Sequence, residues 1–188
     1  MWGGPYRIVY ADPPWTFKTW SDKGKDRSAE QHYGCMSIED IKNLPVDDIT
    51  QDNCSLFLWA TDPLLPEALA VMEAWGFKYK TIAFVWTKLN KKAPQFMFNK
   101  EDFFTGMGYW TRANPELCLL GVKGKPARES KAVRRLVVAP RREHSRKPDE
   151  VSERIVELMG NISRIELFAR ERRRGWDSYG NEIEKFSS

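Results

Sequence analysis

Apolar residues in this chain gather into six short runs set apart by polar stretches. They are YRIVYA (6–11), CSLFLWA (54–60), TIAFVWTKL (81–89), ELCLLGV (116–122), RRLVVA (134–139) and RIELFA (164–169). Several are apolar at consecutive positions rather than at alternate ones. That is the pattern of strands buried on both faces, as in a parallel sheet covered by helices. Three stretches between them show helical signals. SIEDIKNL opens on Ser37, a good cap, with Asp40 three residues later. PLLPEALAVMEAW runs from Pro63 to a stop at Gly76, with Leu65, Leu69 and Met72 at helical spacing. KPDEVSERIVELMG carries Pro148 and acids in its first turn, and Gly160 after its last. Val151, Ile155, Leu158 and Met159 form its apolar stripe. The expected fold class is α/β with a mostly parallel sheet, in a single domain over residues 1–188.

Two segments are too long for plain connections. Residues 16–34 are polar, and residues 90–114 mix aromatics, glycines and cations. Long loops inside compact domains are commonly lids or binding loops. Both are expected at the sheet edge where the strands end, the edge at which open α/β sheets bind ligands.

Composition narrows the class. Hydrophobic residues make up 41% and charged residues 30% of 188 positions, with no apolar run of membrane-span length. The start, MWGGPYRI, lacks the basic and apolar regions of a secretory signal, so a cytoplasmic location is expected. Cys35, Cys54 and Cys118 have no metal-like spacing, and the last two sit in strand-like runs as small core residues do. No metal cofactor is expected. The net charge of +4 is weak evidence by itself. Its clustering in KGKPARESKAVRR, PRREHSRK and RERRR favours a nucleic-acid partner over three merely solvated faces.

The chemistry concentrates where the first run breaks. Asp12, Pro13, Pro14 and Trp15 follow it directly. Two prolines stiffen the backbone and remove two N–H donors. The Asp12 carboxylate and the Pro13 carbonyl then stand as paired acceptors, with the Trp15 indole as a flat surface beside them. A planar molecule bearing an amine fits this arrangement. Adenine's exocyclic amine needs such a site, because its lone pair is delocalised into the ring. Paired acceptors would turn the amine toward an electrophile and stabilise the charge developing on nitrogen. The alternative is a proline turn with a structural aspartate.

ADPPW resembles motif IV of amino-methyltransferases that use S-adenosylmethionine. With HYGCMSIEDIKNLPV, LFLWAT, AWGF, WTK, ELCLLGVKGKP, RKPDE, RIELFAR and GWDSYGNE, in that order, nearly the whole chain is similar to one family. It is typified by the seventy-kilodalton catalytic subunit of the eukaryotic mRNA adenosine methyltransferase and includes bacterial and phage members. The resemblance implies a Rossmann-like methyltransferase fold in permuted order, with the catalytic strand before the cofactor strand. It implies S-adenosylmethionine as cofactor, S-adenosylhomocysteine as product, and N6-methylation of adenine, in DNA more than RNA. Catalytic roles fall on Asp12, Pro13, Pro14 and Trp15. Cofactor contacts fall on Asp12, Lys147, Glu166, Phe168, Arg170, Asn181 and Glu182. Substrate contacts fall on Tyr33, Tyr109, Trp110 and Arg112. A homodimer or a related partner subunit is a further implication.

Plainer readings stand beside these roles. Asn181 would cap a turn, Glu166 would be a buried partner for Arg164 or another cation, and Trp110 would anchor its loop on the domain. The competing function is a catalytically silent subunit that scaffolds nucleic acid or a partner enzyme, although the intact DPPW disfavours it. Asp12, where cytosine and glutamine methyltransferases have Asn or Ser, disfavours those substrates. Only eleven residues precede Asp12 and no recognition domain is appended, so target choice is expected to come from the loops or a partner.

Overall fold

The computed structural model describes residues 3–15, 36–94, 97–143 and 146–184. All six expected strands form, with β1 at Tyr6–Ala11, β2 at Thr50–Ala60, β3 at Lys78–Leu89, β4 at Glu116–Lys123, β5 at Leu136–Pro140 and β6 at Arg164–Leu167. A short seventh strand, β7 at Asp177–Tyr179, was not expected. They join one sheet in the order β5-β3-β4-β2-β1-β6-β7. Every pairing is parallel except the two made by β4, which is antiparallel to both β2 and β3. The sheet is mostly parallel, as expected, with β4 as the single reversed strand.

Strand alternation divides the core in two. Val9, Ala11, Leu56, Leu58, Ile165 and Leu167 face one side, where they meet Ile41, Met72 and Trp75. Ile8, Tyr10, Phe57, Trp59, Phe84 and Trp86 face the other, where they meet Val151 and Ile155. Helices α1 (Ile38–Lys42) and α2 (Leu65–Ala74) cover the first face, and α3 (Asp149–Met159) covers the second. None of these helices is long and apolar enough to cross a membrane.

The caps follow the sequence signals. The Ser37 hydroxyl accepts from the Asp40 N–H at 3.1 Å. Gly160 closes α3 at φ 86°, a conformation that favours glycine. The start of α2 is different: a 3-10 turn at Asp62–Leu64 precedes it. Its buried residues are Ala68, Val71 and Met72, while Leu69 is exposed. The stripe of α3 keeps Val151, Ile155 and Met159, with Ser152 buried and Leu158 only partly so. Cys54 and Cys118 are buried free thiols, as expected of core residues.

Candidate active site

The carboxyl edge of the sheet collects the chemistry. Asp12 follows the last residue of β1, a strand hydrogen-bonded on both sides. Arg170 stands three residues beyond β6, and Lys147 two residues before α3. Because β4 is reversed, its first residue, Glu116, also lies at this edge, paired with Trp86 near the end of β3.

These side chains form one charged cluster. Lys147 Nζ donates to Asp12 Oδ2 at 2.7 Å and stands 3.2 Å from Glu116 Oε2. Lys88 Nζ stands 2.8 Å from Glu116 Oε1. Arg170 Nη2 lies 3.9 Å from Asp12 Oδ2, and its Nε lies 3.8 Å from Glu182 Oε2. The Lys147 ammonium also sits 5.3 Å from the centre of the Trp59 ring. Its side chain is only 9% exposed, so its charge depends on these partners. Burial pulls the Lys147 pKa down, but Asp12 and Glu116 outweigh it and leave the value above that of an ordinary lysine. Glu116 mirrors this: burial pushes it up, and Lys147 and Lys88 bring it below the usual carboxylate range.

The DPPW segment departs from its expected geometry. The Pro13 carbonyl is not wholly free, since it accepts from the Trp15 N–H at 2.8 Å. A carbonyl has a second lone pair, so one acceptor site remains. The Pro14 carbonyl accepts from the Met36 N–H at 3.3 Å. Trp15 is 5% exposed and packs into the core beneath α1 and α2. Its indole N–H donates to the Trp59 carbonyl at 3.0 Å. Here the indole pins the segment to β2 rather than offering an open stacking face.

The loop after β6 is tightly built. Phe168 has φ 60°, unusual for a residue with a bulky side chain, and this ends the strand two residues earlier than expected. The Ala169 N–H donates to the Tyr179 carbonyl at 3.0 Å. Gly180 passes so close that a Cβ there would lie 2.4 Å from the Ala169 carbonyl oxygen and 2.7 Å from its nitrogen. Asn181 and Glu182 emerge directly from this crossing. Asn181 is exposed and Glu182 half-buried. Glu166 points to the α3 side, where Arg173 Nε donates to its Oε2 at 2.9 Å. It is a buried partner of a cation, and that cation is Arg173 rather than Arg164. Burial pushes its carboxyl up to about 7 against the pull of Arg173.

The second long loop is anchored at its base and open at its tip. Asn114 bonds both the N–H and the carbonyl of Lys88, at 3.0 and 2.9 Å. Phe104 lies under the Arg141 guanidinium at 3.5 Å. The Gly106 N–H donates to the Ala113 carbonyl at 2.7 Å and joins the two sides of the loop below the tip. Tyr109 and Trp110 are 93% and 91% exposed, and their rings meet edge to face at 5.4 Å. Trp110 is thus not an anchor packed on the domain. Arg112 donates to the Gly108 carbonyl at 3.1 Å. Tyr33 and loop 16–34 lie outside the described residues.

Sequence reasoning missed Glu116, Lys88 and Arg173. The first two stood inside quoted motifs, but an acid opening an apolar run gives no local signal of its neighbours. The basic clusters also read differently in three dimensions. Arg142, Arg146, Lys147, Arg170, Arg172 and Arg173 all face acids within the chain. In the segment 125–135, Lys125, Arg128, Lys131 and Arg134 remain exposed.

A carboxylate at the end of a central parallel strand, cations around it and a tight glycine crossing beside it make this the candidate ligand edge of an α/β sheet. The chain belongs to the MT-A70 family, whose model matches residues 6–182. It is 33% identical over 195 residues to the Type II methyltransferase M.MunI of Mycoplasma sp, covering 95% of this chain and 78% of that protein. It is 31% identical over 182 residues to the N(6)-adenosine-methyltransferase MT-A70-like protein of Arabidopsis thaliana. It is 28% identical over 184 residues to the human N(6)-adenosine-methyltransferase catalytic subunit METTL3. In both of these it covers 96% of this chain, but it spans only 24% and 29% of their lengths.

Proposed function

We propose that the protein transfers a methyl group from S-adenosylmethionine to the exocyclic N6 amine of adenine in nucleic acid, DNA in preference to RNA. The observation that carries this reading is Asp12, fixed at the end of β1, where among the described residues its contacts with Lys147 and Arg170 fall on Oδ2. Oδ1 is then the oxygen offered to a substrate N–H, with the Pro13 carbonyl as the second acceptor. Two acceptors on a stiff frame turn the amine lone pair away from the ring and stabilise the positive charge that grows on nitrogen. Asp12 orients and stabilises; it need not carry the proton away.

The residues at the edge fit the cofactor. Lys147 and Arg170 offer cations to a carboxylate, Asp12 offers an acceptor to an ammonium, and Asn181 and Glu182 suit ribose hydroxyls. The Gly180 crossing sets the backbone after β7 directly against Phe168 and Ala169 and so fixes where Asn181 and Glu182 leave the sheet. When bound, the cofactor supplies a methyl group already activated on a sulfonium. Phe168 closes the apolar side of the same turn.

Exposed Tyr109 and Trp110 would stack on bases, and Arg112 with segment 125–135 would meet phosphates. A target inside a duplex has to be extruded to reach Asp12. The preference for DNA is supported by the likeness to the Type II methyltransferase M.MunI, of which the chain spans 78%. A second copy or a related subunit would complete target choice.

The test is direct. The protein is incubated with labelled S-adenosylmethionine and single- or double-stranded DNA or RNA, and the digested nucleosides are identified. Label in N6-methyldeoxyadenosine is expected. Label only in N6-methyladenosine would move the substrate to RNA, and cofactor binding without transfer would favour a scaffold. Asp12→Ala is expected to abolish transfer while cofactor binding stays measurable; full activity in that variant would remove Asp12 from its role.

A further inference from the structure

Arg173 lies outside the set of residues around Asp12, yet every nitrogen of its guanidinium is engaged. Nε donates to Glu166 on β6 at 2.9 Å, Nη1 to Asp149 at 2.6 Å and Nη2 to Glu171 at 2.6 Å. Its side chain is 14% exposed, and those of Glu166 and Glu171 are 13% and 14% exposed. Two more arginines finish the cluster. Arg142 stands 2.7 Å from Asp149 Oδ2 and also donates to the Lys147 carbonyl at 3.1 Å. Arg146 pairs with Glu171 Oε2. Among the described residues, three acids and three arginines thus meet here. Burial disfavours the Arg173 charge, but Glu166 and Asp149 overcome this and hold its pKa above the ordinary arginine value.

The partners sit at informative places. Asp149 is the first residue of α3, two positions after Lys147. Glu171 directly follows Arg170. Both Lys147 and Arg170 reach Asp12 Oδ2. We propose that Arg173 is a positioning residue of the cofactor edge: it clamps the loop after β6 to the start of α3 and thereby sets Lys147 and Arg170 relative to Asp12. This rests on the methyltransferase reading of that edge.

A role in folding alone does not account for the arrangement. α3 is already held by Val151, Ile155 and Met159 in the core, and β6 is paired on both sides. The relation between the two segment ends rests instead on Arg173, with the Arg146–Glu171 pair joining the same segments beside it. Planar, three-pronged donation suits that task, and lysine cannot reproduce it.

The test compares Arg173→Met with Arg154→Met. Arg154, paired with Glu150 on the same helix, ties that helix to the β5 segment through the carbonyls of Arg134 and Leu136, away from Asp12. S-adenosylhomocysteine binding is measured by calorimetry, and the KM for S-adenosylmethionine is separated from kcat. Exchange of the Ala169 amide is followed in the free protein. Arg173→Met is expected to weaken binding and raise KM about 10- to 100-fold, the scale of a misplaced contact. Its kcat should change less, and Ala169 should exchange faster. Arg173→Lys should restore only part of the affinity. Arg154→Met should lose stability with affinity intact. Glu171→Gln, which spares two of the three Arg173 bonds and also removes the charge facing Arg146, repeats the test of the clamp if Arg173→Met fails to fold. Equal losses of stability in Arg173→Met and Arg154→Met, with affinities within about twofold of wild type, would overturn the proposal. Absence of S-adenosylhomocysteine binding to the wild-type protein would instead remove the reading of the edge, and is seen before any variant is made.

Discussion

Replacing Lys147 by Met tests the charged cluster most sharply. Lys147 is 9% exposed and contacts two carboxylates, Asp12 at 2.7 Å and Glu116 at 3.2 Å. Removing one member of a buried ion pair typically costs about 3–5 kcal/mol, because the other charge is stranded. Here the stranded acids keep some compensation: Glu116 retains Lys88 at 2.8 Å, and Asp12 retains Arg170 at 3.9 Å. The cost should therefore fall at the lower end, about 3 kcal/mol. For a domain of this size that is a drop of roughly 6–12 °C in Tm.

The decisive measurement is a double-mutant cycle with Glu116→Gln, by urea denaturation followed through tryptophan fluorescence. Deleting both partners leaves less uncompensated charge than the single losses suggest. A coupling of about 1–3 kcal/mol is expected. Acid pH adds an independent check. Lys147 and Lys88 depress the Glu116 pKa despite its burial. Its stabilising contribution is therefore present above the ordinary carboxylate pKa and is lost as pH falls through the lowered folded value. The stability gap between wild type and Lys147→Met should narrow in that acid window. Additivity within about 0.5 kcal/mol, at neutral and acid pH alike, would refute a direct Lys147–Glu116 interaction.

Trp15→Ala should cost about 3–5 kcal/mol, since it empties a buried site, whereas Trp15→Phe loses mainly the bond to Trp59; unchanged thermal denaturation of the alanine variant would put the indole outside the core. Gly180→Ala should cost about 1–3 kcal/mol and weaken cofactor binding, because the new Cβ meets backbone that cannot yield; calorimetry reads both effects. Glu166, pushed up to about 7 chiefly by burial, should make wild-type stability fall as pH rises from the ordinary carboxylate value to about 7. Denaturation midpoints across that range should show a slope that Glu166→Gln lacks. Trp110→Ala should alter stability by no more than about 0.5 kcal/mol while weakening nucleic-acid binding by about 1–3 kcal/mol, read by anisotropy titration.

What the sequence disclosed, and what it hid, divides by range. The central strands were legible because burial on both faces writes a continuous apolar run, and Asp12 was legible because prolines announce where such a run stops. β7 was not: Asp177, Ser178 and Tyr179 make only three pairings at the sheet margin and need no apolar pattern. Phe168 cut β6 short through a backbone turn that the apolar run could not show. Trp15 read as an exposed surface because the prolines fixed the backbone but not the indole. Its partner, the Trp59 carbonyl, lies 44 residues away. Glu116 is the clearest case. Its place beside Asp12 depends on β4 running against its neighbours, a fact of topology that no local pattern encodes.

The cluster around Asp12 bears on how such an edge can be stable when empty and still receptive. Among the described residues, Asp12, Glu116 and Glu182 face Lys88, Lys147 and Arg170, and these acids and cations balance. A buried excess of either sign would cost several kcal/mol and push groups to neutralise. Balance removes that cost but sets another, because a ligand of single charge that parts Lys147 from Asp12 leaves one of them with only its weaker partner, Glu116 for Lys147 or Arg170 for Asp12. A zwitterion with an adjacent ammonium and carboxylate can part them and satisfy both. The amino-acid end of the proposed cofactor has this form. The same pairing that keeps Lys147 charged in a dry site therefore selects for a ligand carrying both signs within a few atoms. Lys147→Met should accordingly lose affinity for S-adenosylhomocysteine by more than it loses affinity for adenosine, which carries neither charge. Equal losses for the two ligands, measured by calorimetry, would separate Lys147 from recognition of the amino-acid end and leave it only its place in the fold.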